Sequence, residues 1–275
     1  MMKKKQIEEM ACRKDFVTAA VFPSGMTGEI GEGFRILEAA GRNDLFELLK
    51  KEFPGANVGF ETLSSKKEDP GAQCCAKRVG RRPILEKGIF DYIAAVGLTY
   101  LPCDEGTDQL FRDLIACLKP GGVMSVHVCS FSGYYGAVML GAVIRQLSRG
   151  KSQVDTIKIA RAVIRELPET HPAFANEIFK PRDETAVKEL LDLSAAIDHV
   201  DKLFTVSKLQ ESIPRWGGRF LQWVLPELYD LTQYFKSLEE SIIRRLHGLP
   251  DQKRAAAAEL LTASPSEHYF LIQKL

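Results

Sequence analysis

The segment from Gly88 to Ser130, GIFDYIAAVGLTYLPCDEGTDQLFRDLIACLKPGGVMSVHVCS, constrains the fold more than any other part of the chain, because it reads as strand, helix, turn and strand without a break. Phe90 to Leu98 is a nearly continuous apolar run, the pattern of a strand covered by helices on both faces, and Gly122 to Cys129 is a second run of that kind. Between them Leu110, Leu114, Ile115 and Leu118 recur at helical spacing, and Lys119-Pro120-Gly121-Gly122 supplies the proline and glycine chemistry that ends a helix. Two buried strands joined through a helix make a parallel α/β unit.

The same alternation extends toward the amino terminus. Arg35 to Glu38 is a short apolar run ending in a carboxylate, Leu45 to Phe53 is an amphipathic helix stopped by Pro54-Gly55, and Asn57 to Leu63 is a further strand with Glu61 near its end. Residues 35 to 63 therefore predict a second β-α-β unit. Ahead of it, MMKKKQIEEM begins a helix, Phe16 to Phe22 is apolar, and a loop is punctuated by Gly25, Gly28, Gly31 and Gly33. That loop lacks the GK[ST] ending of a phosphate cradle, so residues 1–34 are expected to form a helical arm or lid. Residues 64–87 are rich in Lys and Arg and broken by Pro70-Gly71 and Gly80. They read as a solvated connection or a contact for an acidic partner, with a third strand near Arg82 to Leu85.

Beyond the block the pattern turns helical. Ile157, Ala160, Ile164 and Leu167 mark one helix, and Val187, Leu190, Leu191, Ser194 and Ile197 another. Thr205 is placed to cap Val206 to Ile213, and Arg219 to Leu225 reads as a strand. Ser237-Leu238-Glu239-Glu240 has capping-box spacing, Pro250 opens a helix through Leu261, and His268 to Gln273 is an apolar last strand. His127, inside a strand, is expected to be a hydrogen-bonded interior side chain rather than a general base.

Composition narrows the function classes. With 37 basic and 36 acidic side chains and a net charge of +1, no whole-surface affinity for nucleic acid or membrane is expected. The sequence has no apolar run of about 18 residues, no signal-peptide pattern, and six cysteines without CxxC spacing. A cytoplasmic location and no metal site are expected, because even the Cys74-Cys75 pair has no histidine or third cysteine at ligand spacing.

FDYIAAVGLTYLP followed by LKPGG resembles the fourth strand, fourth helix and fifth strand of class I S-adenosylmethionine-dependent methyltransferases. The resemblance extends over roughly residues 35 to 275. It implies an α/β, Rossmann-like class I methyltransferase fold, with a seven-stranded mixed sheet and helical insertions. Residues 1–34 would form the N-terminal helical arm or lid, and 35–134 the cofactor-binding half. Residues 135–205 would form a helical insertion or cap of the kind a group of bacterial members carries, and 206–275 strands six and seven with another helical insertion.

The implied cofactor is S-adenosylmethionine. By motif position, Glu38 takes the place of the acid ending the first strand, and Ala39 to Asp44, including Ala40, Gly41 and Asp44, that of the glycine-rich loop. Glu61 takes the place of the acid that meets the ribose, and it follows Glu38 by 23 residues, close to the expected separation of about 20. Gly97 and Tyr100 occupy family positions that border cofactor and substrate. Arg42 and Asp44 stand where the family has glycine, and Asn43 or Asp44 is also suited to cap the helix that follows. Ser130, Tyr134 and Tyr135 follow the carboxyl end of a strand, where open α/β sheets bind ligands, and are candidates to line a substrate pocket. Packing beneath the next helix is the other role open to the two tyrosines.

The implied reaction is methyl transfer to a small-molecule or protein acceptor, with no catalytic residue assigned. It is an in-line displacement that depends mainly on alignment. A protein partner or a homodimer is compatible with this reading. The altered glycine loop leaves open an alternative: a non-catalytic relative that has lost cofactor binding and serves as a scaffold, a regulatory subunit or a binder of another ligand.

Overall fold

The computed structural model describes residues 4–21, 30, 32–39, 43–60, 86–96, 105–175, 179–197, 203–234, 239–262 and 265–275. Their strands are β1 (Arg35–Glu38), β2 (Asn57–Phe60), β3 (Phe90–Ala95), β4 (Leu118–Cys129), β5 (Gly218–Trp223) and β6 (Glu267–Lys274). These form a six-stranded sheet in the order β2-β1-β3-β4-β6-β5. The first four are parallel, whereas β6 runs antiparallel between β4 and β5. The third strand expected near Arg82 to Leu85 falls outside the described residues.

Alternation along the strands sorts the core into two layers. On one face, Ile36, Tyr92, Val123 and Leu271 pack with Cys12 of the turn after α1 (Lys4–Met10), Val17 of α2 (Lys14–Val21), and Leu45 and Leu49 of α3 (Asn43–Glu52). On the other, Leu37, Ile93, Met124 and Phe270 pack with Leu114 of α4 (Glu105–Cys117) and Leu209 of α8 (Val206–Arg215). Thr205 caps α8 by accepting a hydrogen bond from Lys208 N at 3.1 Å.

Between β4 and α8 lie α5 (Phe131–Leu147), α6 (Gln153–Glu166) and α7 (Glu184–Ala196), which bury a core of their own around Val138, Ile164 and Leu190. The two ends of this insertion meet: Ser130 and Phe204 form a parallel bridge, and Phe131 N donates to Phe204 O at 2.7 Å. A Cβ at Gly136 would lie 2.2 Å from the carbonyl carbon of Pro172, so glycine permits α5 to touch the 172–175 turn. A second insertion between β5 and β6 carries α9 (Leu231–Tyr234), α10 (Glu240–His247) and α11 (Asp251–Thr262).

Three local expectations are corrected. Leu118 belongs to β4 rather than to the helix before it, and the Pro-Gly-Gly turn sits within the span of the strand. In the ladder Phe90 faces Leu118 and Tyr92 faces Val123, so Lys119 to Gly122 bulge out. Gly121 has φ of +77°, and Lys119 Nζ reaches back to both carboxylate oxygens of Asp91 at 2.8 and 2.7 Å. The N-cap of α10 is Glu239, without a side-chain cap bond, rather than Ser237, which lies outside the described residues. Asn43 and Asp44 are inside the first turn of α3, where a carboxylate complements the positive helix end, rather than ahead of it. Among the described residues no helix is long and apolar enough to cross a membrane.

Candidate functional site

Because β1 to β4 are parallel, their carboxyl ends share one edge of the sheet, the edge at which open α/β sheets bind ligands. There β1 ends on Glu38, which is 0% exposed, and Ala39 N donates to Ala94 O at 3.0 Å, tying this end to that of β3. Residues 39–42 are all that separate β1 from α3, so the amino end of α3 starts at the same edge. Asp44 is exposed in its first turn. Ala40, Gly41, Glu61, Gly97 and Tyr100 lie outside the described residues.

At the carboxyl end of β4 the chain buries a polar cluster. Because β6 is antiparallel, its first residue, Glu267, pairs with the last residue of β4, Cys129. Glu267 Oε1 accepts the Tyr134 hydroxyl at 2.9 Å and Oε2 the Tyr269 hydroxyl at 2.7 Å. His127 Nε2 lies 3.3 Å from Glu267 Oε2, and its Nδ1 lies 3.9 Å from Glu8 Oε1 on α1. The Tyr269 ring stacks on the imidazole with centroids 4.1 Å apart and planes 5° from parallel. All five residues are buried. Burial, reinforced by the Glu267 charge, pushes the Tyr269 phenol well above its ordinary range, so it remains a donor.

The amino-terminal helix completes this edge. Ile7 and Ala11 pack with Val96, Leu225 and Tyr269, covering the exit of β3. Tyr92, on the same face of the sheet, donates to Ala11 O at 2.7 Å and contacts Ser125 Oγ. Burial raises its phenol pKa as well. Among the described residues no group of three His, Cys, Asp or Glu side chains is arranged to hold a metal ion.

The three substrate-pocket candidates do not converge. Tyr134 joins Glu267 and His127. Ser130 is the N-cap of α5: its Oγ accepts from Gly133 N at 2.9 Å and donates to Pro265 O. Tyr135 is 39% exposed beside Phe131, since one residue along a helix turns a side chain by about 100°. Glu8, Glu267 and Tyr269 escaped the sequence reading. The available signal is the pair Glu267-His268 opening an otherwise apolar strand, whereas Glu8 lies in the helix that MMKKKQIEEM begins, with no pattern to mark it.

No protein-family model matches the sequence. Among solved structures, PKMT2 from Rickettsia typhi is similar at 12% identity with a TM-score of 0.55, over 96% of this chain and 52% of that one. Its complex with AdoHcy gives 12% identity and a TM-score of 0.55, over 97% and 52%. This chain thus spans about half the length of that protein. A parallel run of strands closed by an antiparallel strand between the fourth and the edge, together with this likeness over nearly its whole length, gives the chain the class I methyltransferase fold.

Proposed function

We propose that the protein is an S-adenosylmethionine-dependent methyltransferase acting on a small-molecule or protein nucleophile. The observation that carries this is Glu38, a fully buried carboxylate at the carboxyl end of β1, set just ahead of the amino end of α3. A ligand with an amino-acid end needs an acceptor for its ammonium and donors for its carboxylate. A buried carboxylate followed closely by a helix start, whose first N–H groups have no intrahelical acceptor, suits both needs, so the donor set fits the cofactor. The AdoHcy complex of PKMT2 supports the same ligand class.

S-adenosylmethionine supplies a methyl group on a sulfonium, whose leaving group is already activated. The work left to the protein is alignment and exclusion of water. Glu38 would hold the ammonium, and α1, packed over Val96 and Tyr269, covers this edge of the sheet. His127, 0% exposed between Glu8 and Glu267 and stacked on Tyr269, is an interior side chain, and no general base is assigned. The AAGRND loop after β1, with its single glycine, favours the second reading of a relative that no longer binds the cofactor.

Isothermal titration separates the two. Saturable binding of S-adenosylmethionine and S-adenosylhomocysteine is expected. Glu38→Ala should weaken it at least about tenfold with the circular dichroism unchanged, the effect of one charge-assisted hydrogen bond of about 1.5 to 3 kcal/mol. No heat from either ligand at about 100 µM protein, where even weak binding registers, would leave the non-catalytic reading.

A further inference from the structure

Across the sheet from the Glu267 cluster, the edge strand β5 is built around an irregularity. Phe220 pairs with Ile272 and Gln222 with Leu271, so Leu221 is an extra residue in the ladder. In an unbroken strand Phe220 and Trp223 would point to opposite faces. The bulge reverses the alternation, and both rings lie on the face that carries Phe270. Their centroids are 4.8 Å apart with planes tilted by 58°, and Trp223 stacks on Tyr229 at 4.0 Å and 23°.

A buried polar network fixes this aromatic wall from behind. The Tyr229 hydroxyl bonds His268 Nδ1 at 2.7 Å, and His268 Nε2 lies 3.1 Å from Phe204 O and 3.3 Å from Glu259 Oε1. Glu259 Oε2 accepts from Val206 N at 2.7 Å. Burial, with Glu259 beside it, raises the Tyr229 pKa well above its ordinary value.

In front of the wall is a cavity of about 570 Å³, bounded by α8 at Leu209 and Ile213 and by the start of α11. Its volume falls in the range of small-molecule sites, as does its pattern of an apolar and aromatic floor with a few polar groups. The polar groups include Gln210, whose Nε2 donates to Gln252 O at 2.9 Å, and Gln252, whereas Gln222 pairs with Leu271 and belongs to the other face of β5. The Arg254 guanidinium is already engaged by Asp251 and the His247 carbonyl, so it does not call for an anionic ligand. Flat rings on one side and amides on the other suit a flat guest with hydrogen-bonding atoms along its edge.

We infer that this cavity is a second binding site, for a neutral planar heteroaromatic small molecule that stacks on Trp223 and is read along its edge by side-chain amides. It stands apart from the edge assigned to methyl transfer, on the opposite face of the sheet, and does not depend on that assignment.

The chain's two tryptophans make the test direct. Trp216 is 2% exposed and stacked on Phe111, so a ligand-dependent change in emission reports Trp223. Isoquinolin-1-one, a planar lactam, should quench emission saturably below about 5 mM, the affinity range of a fragment of that size. The non-planar cyclohexanecarboxamide should not. Binding followed by ligand-observed NMR should fall at least tenfold in Trp223→Leu and about threefold in Gln252→Ala, an exposed position whose replacement leaves the fold in place. Saturating S-adenosylmethionine should leave the isoquinolin-1-one titration unchanged, and if S-adenosylmethionine does not bind at all the titration stands by itself. The inference is overturned by the absence of saturable quenching, by equal quenching from both amides, by unchanged affinity in both variants, or by competition with S-adenosylmethionine.

Discussion

Two buried networks of histidine, carboxylate and tyrosine lie back to back across β6, and they start at consecutive residues. Glu267 turns toward the face covered by α1 and His268 toward the face covered by α8 and α11. In the first network a carboxylate is the hub, accepting from two phenols and lying against His127. In the second an imidazole is the hub, between Tyr229, Phe204 O and Glu259. The first gathers the amino-terminal helix, the end of β4 and the first turn of α5 around the ligand-binding edge. The second fixes the exit of the insertion and α11 behind an aromatic wall. The same residue types therefore serve opposite ends: one network assembles an edge from distant segments, and the other braces a surface.

The largest expected effect falls on the carboxylate hub. Glu267→Ala leaves two buried hydroxyl donors without an acceptor, at about 1 to 3 kcal/mol each, so a loss of about 2 to 6 kcal/mol is expected from urea unfolding. Glu267→Gln, which keeps an acceptor oxygen, should lose less than half of that. An unchanged urea midpoint in Glu267→Ala would break the assignment of Glu267 as hub. In the second network, Glu259→Ala strips the acceptor from one buried N–H, that of Val206, and about 1 to 3 kcal/mol is expected. This variant should shift Trp223 emission, whereas Glu267→Ala should not, and a shift in both would show that the two networks are not separate.

Alkaline pH acts on both networks at once. Tyr92, Tyr229 and Tyr269 all have folded pKa values above the ordinary 10.0. Above about pH 10 the unfolded chain loses these protons while the folded chain keeps them, so stability is complete below that pH and falls as pH rises. Each phenol contributes a slope of about 1.4 kcal/mol per pH unit. Urea midpoints between pH 9 and 12 should show Tyr269→Phe and Tyr229→Phe each removing one such increment. Equal slopes in wild type and variants would mean that the phenols titrate in the folded state. The smallest effect belongs to a pair outside both networks. Lys119→Met removes a partly exposed ion pair with Asp91 and should cost less than about 1 kcal/mol in the same assay.

Much of the architecture was legible locally. The bounds of β1, the Thr205 cap of α8 and the closing apolar strand follow from apolar period and cap chemistry, which act within a few residues. The bulge of Lys119 to Gly122 was read as a turn between elements because nothing local says that Leu118 pairs with Phe90. Glu38, Tyr134 and the interior His127 are legible in the sequence, since each sits in or beside a recognisable strand, whereas Glu8, Glu267 and Tyr269 join them only through tertiary packing.

By itself the sequence determined which stretches are strands and helices, their parallel order through the β-α-β units, and the carboxylate that ends β1, because periodicity, turn chemistry and capping are short-range. Only the tertiary structure decided that Glu8, His127 and Glu267 meet, that Tyr134 and Tyr135 part company, and that a single extra residue turns Trp223 toward Phe220. Those outcomes depend on strand register and on which helix packs on which face, and both are set by burial of surfaces contributed from distant parts of the chain.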